Sequence, residues 1–231
     1  VPDRPPTRPD DLVSRLQQAY EIGTAITSIH DLDTLVQLSV TRIRKDLKYQ
    51  NVTLFSLIGD ELVVMGMSLE TGRFMNLSDL TETQNHLRSI KIGQHIIGHA
   101  ALTGEPVLVS DISNDPRYKG WNQLDPLLQP MQSELAIPLK ADGRVLGVLN
   151  IESTMVHDFT EDDQRILGLL TGQIAVALEN IRLHQKSQEH IQSLDALNKK
   201  MASEITDRKY AEEALRNSEN RLRLALEASQ M

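Results

Sequence analysis

Apolar positions recur at threes and fours from Asp10 to Lys48. Leu12, Leu16, Ala19, Ile22, Ala25, Ile26 and Ile29 trace one face of a 3.6-residue period, which predicts a helix. Asp31 is placed to cap a second helix whose apolar positions are Leu35, Leu38, Val40, Ile43 and Leu47. His30 falls at the break and reads as an exposed junction residue. After Lys48 the period changes to two. Asn51–Ile58 and Glu61–Ser68 read as strands joined at Gly59-Asp60, a strong hairpin signal. Residues Glu70–Arg88 are polar and irregular, and Ser89–Ile92 reads as a short strand. Gln94–Leu102 reads as a short helix closed by Gly104, followed by a strand at Val107–Val109. Ser110–Pro130 is loop-rich, broken by Pro116, Gly120, Pro126 and Pro130. Ser133–Leu139 and Arg144–Ile151 flank Asp142-Gly143, the clearest hairpin in the chain. Five or six short antiparallel strands with helices before, between and after them predict an α+β fold with helices on one sheet face.

The last third is different in kind. In Phe159-Thr160-Glu161-Asp162-Asp163, Thr160 can cap a helix while Asp163 reaches back to it, and the acidic first turn suits the helix dipole. From Gln173 to Met231 there is neither Gly nor Pro. A helix from Glu161 to Ser229 would be on the order of 100 Å long at about 1.5 Å per residue, longer than a single domain. An isolated helix is marginal in water, so its apolar stripe needs a partner. Ile191, Leu194, Asn198, Met201 and Ile205 alternate spacings of three and four, the a/d seam of a coiled coil with a register-fixing amide at Asn198. A second phase runs through Ala211, Leu215, Ser218, Leu222 and Ala225, and joining the two through Arg208 breaks the heptad near Asp207–Lys209. That break reads either as a helix end or kink, or as a place where register can be altered. The flanking charges mix both signs, as a solvated face does. A parallel homodimer through this helix is expected.

Composition narrows the function. The 231 residues correspond to about one and a half domains, and the first residue, Val1, suggests a fragment. Pro2, Pro5, Pro6 and Pro9 mark residues 1–9 as a disordered tail. A net charge of −8 argues against nucleic-acid binding. Cys is absent, which excludes disulfides, zinc–thiolate sites and thiol nucleophiles. With no signal-peptide pattern, and no apolar stretch approaching the roughly 18 residues that cross a bilayer, a cytoplasmic location without membrane contact is expected.

No catalytic constellation is visible. There is no G-x-S-x-G elbow, phosphate-cradling Gly-rich loop, H-E-x-x-H or G-x-G-x-x-G. His95 and His99 share a helical face, but no third ligand is indicated, so no metal site is expected. Asp111, Asn114, Asp115, Tyr118, Trp121 and Asn122 bring polar and aromatic groups together around Pro116. They read either as turn formers with Trp121 plugging the core, or as a pocket wall on a long loop over a sheet.

Gly93 to Asn180 resembles a GAF domain. The resemblance is carried by Ile96-Ile97-Gly98, Leu102-Thr103-Gly104-Glu105-Pro106-Val107, Ser110-Asp111-Ile112 and Asp115-Pro116-Arg117-Tyr118. It continues through Ser133-Glu134-Leu135-Ala136-Ile137-Pro138-Leu139, Gly147-Val148-Leu149-Asn150-Ile151-Glu152 and Phe159-Thr160-Glu161-Asp162-Asp163. The resemblance implies a central antiparallel sheet of about six strands between helices, over residues 10–183. It also implies a fold that binds small molecules or nothing, and that often dimerises through its terminal helices. Asp111, Tyr118, Trp121, Ser133 and Glu134 are the candidate pocket residues on this basis. The segment from Glu204 to Leu215 resembles a linker helix between bacterial sensor modules, giving a coiled-coil linker at 184–220. Arg221-Leu222-Arg223-Leu224-Ala225-Leu226-Glu227-Ala228 resembles the opening of a PAS domain, truncated at 221–231.

The resemblance therefore implies the non-enzymatic sensory segment of a signalling protein of the histidine kinase or cyclic-di-GMP enzyme type, with its output domain elsewhere. The ligand and cofactor are left unknown. Lack of Cys excludes a covalent bilin and the thiol chemistry of methionine-sulfoxide-reducing GAF enzymes, and the N-K-F-D-E signature of cyclic-nucleotide binders is missing. A ligand-free structural spacer and a haem-binding gas or redox sensor, ligated through His95 or His99, are the alternatives.

Overall fold

In the computed structural model, residues 9–76, 79, 89–118 and 131–228 are described. The tail up to residue 8, Trp121, Asn122 and the last three residues of the expected PAS opening lie outside them. The chain divides into two compact units, residues 1–181 and 182–231.

The first unit opens with α1 (Pro9–Thr27) and α2 (Leu32–Asp46). Pro9 takes the first helical position, where its missing N–H costs nothing. Asp31 caps α2, its carboxylate accepting from the Thr34 N–H at 2.8 Å and the Thr34 hydroxyl at 2.7 Å. The strands are β1 (Asn51–Ile58), β2 (Glu61–Ser68), β3 (Phe74–Asn76), β4 (Ser89–Lys91), β5 (Val107–Val109), β6 (Ser133–Ala141) and β7 (Arg144–Ser153). Helix α3 (His95–Thr103) lies between β4 and β5, and α4 runs from Glu161 to Ala228.

The seven strands form one sheet in the order β3-β2-β1-β7-β6-β5, with β4 also pairing with β2. Every pairing is antiparallel. Both expected hairpins are present, with Gly59 and Gly143 at positive φ in their turns. The segment expected to be irregular holds β3, whose Met75 pairs with Met67 of β2. Three residues are too few to show an alternating pattern in sequence; pairing with a neighbouring strand makes the strand.

The pleat sends alternate side chains to two cores. Val52 and Leu54 of β1, Leu135, Ile137 and Leu139 of β6, and Leu149 and Ile151 of β7 pack beneath α1, α2 and the start of α4. Fully burying such a side chain contributes about 1.5–3 kcal/mol. The opposite face carries Phe55, Val64, Ala136 and Val148, packed with Ile96, Ile97, Ala100 and Ala101 of α3. Gly98 lets α3 approach β4, since a Cβ there would lie 2.5 Å from the Lys91 carbonyl oxygen.

The start of α4 is fixed by a buried polar cluster. Thr160 and Asp163 form the expected reciprocal cap, the Thr160 N–H donating to Asp163 Oδ2 at 2.8 Å and the Asp163 N–H to Thr160 Oγ1 at 3.3 Å. Asp163 Oδ1 accepts from Arg15 of α1 at 2.5 Å and from the Tyr49 hydroxyl at 2.8 Å. Burial would push the Asp163 carboxyl up, but the bonds from Thr160, Arg15 and Tyr49 and the Arg15 charge hold it below its ordinary range.

One expectation about α4 needs correction. An 18-residue window in it, with mean hydropathy 1.3, is long and apolar enough to cross a membrane by length and composition alone. The apolar excess has a local cause: Ile166, Leu167, Leu170, Ile174, Ala175, Ala177 and Ile181 are buried in the core beneath the sheet.

In the second unit, α4 is unbroken through Asp207–Lys209, so a helix end there is excluded. An Arg208–Glu212 ion pair at 3.0 Å spans the change of heptad phase. Every described side chain of this unit is exposed, including Ile191 (58%), Leu194 (59%), Met201 (51%), Ile205 (53%) and Asn198.

Candidate functional site

The sheet face away from α1, α2 and α4 carries a polar patch inside an otherwise apolar core. Antiparallel register builds it from three adjacent strands. Glu134 of β6 stands opposite Glu152 of β7, and Ala136 opposite Asn150. On the other side of β7, Asn150 stands opposite Thr53 and Glu152 opposite Asn51 of β1. Glu134 is 4% exposed and Asn150 2% exposed; Asn51 and Thr53 are buried and Glu152 is half-buried.

Asn51 is satisfied within the protein: its Oδ1 accepts from the Glu70 N–H at 3.0 Å, and its Nδ2 lies 3.6 Å from Met131 Sδ. The Asn150 amide bonds the Glu134 carboxylate, while its Oδ1 is buried with no donor. Burial, reinforced by the Glu152 charge, pushes the Glu134 carboxyl well above its ordinary range, against the bond from Asn150. Burial pushes Glu152 up to about 7.

Arg117 stands at the rim. It forks onto Asp115, Nε to Oδ1 at 2.9 Å and Nη2 to Oδ2 at 2.6 Å, and its charge also acts on Glu134. That fork holds Asp115 below its ordinary range, with a smaller contribution from the His99 charge. Tyr118 packs against the apolar surround of this face.

The residues expected to line a pocket thus divide. Glu134 belongs to the polar patch, and Tyr118 to its apolar surround. Asp111 caps the 3-10 turn Ile112–Asn114, accepting from the Ser113 N–H at 3.0 Å and Asn114 Nδ2 at 2.8 Å, so its acceptors are used locally. Ser133 points to the other face, as its position next to Glu134 requires, and donates to the Met155 carbonyl at 2.7 Å. Trp121 lies outside the described residues. Asn150 and Glu152 were not singled out in sequence. Their signal was the polar alternation in Val148-Leu149-Asn150-Ile151-Glu152 within a buried strand. Among the described residues, no group of three His, Asp or Glu side chains could hold a metal ion.

The family described as GAF domain matches residues 29–179. Among curated proteins, the dual 3',5'-cyclic-AMP and -GMP phosphodiesterase 11 of Drosophila melanogaster is 31% identical over 113 residues, 48% of this chain and 8% of its own length. Phosphodiesterase 11A of Takifugu rubripes is 30% identical over 109 residues, 46% of this chain and 12% of its own length. The chain thus spans only a small part of these relatives. Among solved structures, the GAF domain of a phosphoenolpyruvate-protein phosphotransferase from Coxiella burnetii superposes with a TM-score of 0.65 at 21% identity, over 76% of this chain and 99% of that one. Free methionine-R-sulfoxide reductase from Neisseria meningitidis, in complex with its substrate, gives 0.61 at 22% identity, over 77% and 95%.

Proposed function

The chain belongs to the GAF domain family, and on that premise we propose that it is a non-enzymatic regulatory module that couples a small-molecule site on its sheet to a parallel dimer of α4. The GAF core offers a polar patch walled by apolar side chains on the face opposite α1, α2 and α4, and a molecule seated there touches β1, β6 and β7 together. A neighbour of the same fold is described as bound to its substrate, so this architecture accommodates a small ligand. The thiol chemistry expected of methionine-sulfoxide-reducing GAF enzymes has no nucleophile here, because the sequence contains no Cys.

The exposed stripe of α4 is the single observation that carries the relay. Ile191, Leu194, Met201 and Ile205 are each more than half exposed in the single chain and follow heptad spacing. A second copy covers them in the proposed dimer. In the first unit, Leu16 and Tyr20 of α1 and Leu169 and Val176 of α4 line an open groove of the same apolar character. The dimer passes its helix packing to an output domain of a signalling protein. Ligand changes that packing only to the extent that it binds two dimer arrangements with different affinity.

Sedimentation equilibrium of the full chain tests the dimer. The wild type sediments as a dimer, and Leu194→Ala with Met201→Ala weakens association at least about tenfold, as loss of two buried seam side chains requires. A monomeric wild type, or an unchanged dimer in the double variant, contradicts the reading.

A further inference from the structure

The buried patch also specifies what it binds. We propose that Glu134, Glu152 and the Asn150 side-chain oxygen form a receptor for the ammonium group of a small organic amine. The inference rests on the reading of this sheet face as a ligand site, and adds its chemical class.

Two carboxylates directly opposite each other on neighbouring strands break a local rule of sheet stability, and burial aggravates it. Natural sequences keep such conflicts at functional sites. The chain does not resolve this one itself. Arg117 is the described cation whose field reaches Glu134, and its fork is committed to Asp115. Asn150 Oδ1 points to the same need, since it is a buried acceptor with no donor. Both carboxyls are held above their ordinary range, so the three groups offer acceptor oxygens whose negative charge develops as a cation arrives. An ammonium supplies three N–H donors and that positive charge, whereas a carboxylate or phosphate would bring further negative charge to two acidic groups. A metal ion is disfavoured because no third His or carboxylate completes a ligand set among the described residues. Met67, Met75, Val109 and Ile112, on the same side of the sheet, offer an apolar wall for the amine's carbon chain.

The charged groups around the site are Glu134, Glu152, Asp115 and Arg117, with His99 acting on Asp115. Glu152 titrates at about 7, so protons compete with the amine, and affinity rises from pH 6 to pH 8.

The test is calorimetric titration and thermal unfolding of the full chain with methylamine, n-butylamine, ethanolamine and putrescine. n-Butanol, sodium butyrate and magnesium chloride serve as controls at matched ionic strength. An amine binds at one per chain and raises Tm, the controls do not, and Glu134→Gln or Glu152→Gln weakens binding about tenfold or more. Glu105→Gln, at an exposed carboxylate elsewhere, leaves it unchanged. Butyrate or butanol binding as well as the amines, with loss in the same variants, overturns the ammonium class and leaves the ligand site standing. Magnesium alone reproducing the shift replaces the proposal with a metal site. If no probe binds and both Gln variants raise Tm, the carboxylates are only a cost of the core, and the ligand site falls as well.

Discussion

Glu134 of β6 and Glu152 of β7 are register partners on one face of the sheet, so a buried and a half-buried carboxyl group stand side by side. Their common elevation gives stability a pH dependence opposite in sign to that of ordinary salt-bridged acids. Between the ordinary value of 4.5 and the elevated value of about 7, the folded chain retains a proton at Glu152 that the unfolded chain has released. Stability therefore falls as pH rises through this window. Thermal and denaturant unfolding from pH 5 to pH 8 should show the wild type losing on the order of 1–3 kcal/mol relative to Glu152→Gln. Identical pH slopes in the two proteins would refute the elevation.

The Arg15–Asp163–Tyr49 cluster has the reverse sign. Asp163 is held low, so its contribution is complete above the ordinary value of 3.8 and is lost as pH falls through the folded value. Arg15→Met leaves a buried carboxylate without its cation and should cost about 3–5 kcal/mol. Tyr49→Phe removes one hydrogen bond and should cost about 1 kcal/mol. Urea unfolding at pH 7 measures both, and equal small losses would mean that the cluster is not coupled to α4.

Two glycine substitutions should move stability in opposite directions. At Gly147 a Cβ would lie 2.0 Å from the Phe55 carbonyl oxygen, which is backbone and cannot step aside. Gly147→Ala should therefore lose more than about 2 kcal/mol. At Gly168, in α4, nothing lies within 4 Å, and Ala should add about 0.5–1 kcal/mol through helix propensity. Matching changes in Tm at the two sites would contradict this placement.

Much of the fold was legible because its signals are local. Gly59-Asp60 and Asp142-Gly143 fixed two hairpins, Asp31 marked the start of α2, and Thr160 with Asp163 marked the start of α4. What escaped depends on partners distant in sequence. Phe74–Asn76 is a strand only because β2 lies beside it. Glu134 stood within a recognisable motif, but its pairing with Glu152 is set by the β6–β7 register, which no single segment displays. Ser133 and Glu134 are chain neighbours that the pleat sends to opposite cores, so a motif names both while geometry keeps one. Asp111 shows the converse: its turn chemistry was visible, and a turn is what it makes.

The most direct test of the proposed relay uses the absence of native cysteine, which makes any introduced thiol unique in each chain. In a parallel, in-register pair of α4 helices, residue 194 meets its own copy within the roughly 7 Å that a disulfide can span, whereas Ser203 lies on the outer face. Mild oxidation of Leu194→Cys should yield a covalent dimer, while Ser203→Cys stays uncrosslinked under the same conditions. Equal crosslinking at both positions, or none at residue 194, would show that these helices do not pair in this way.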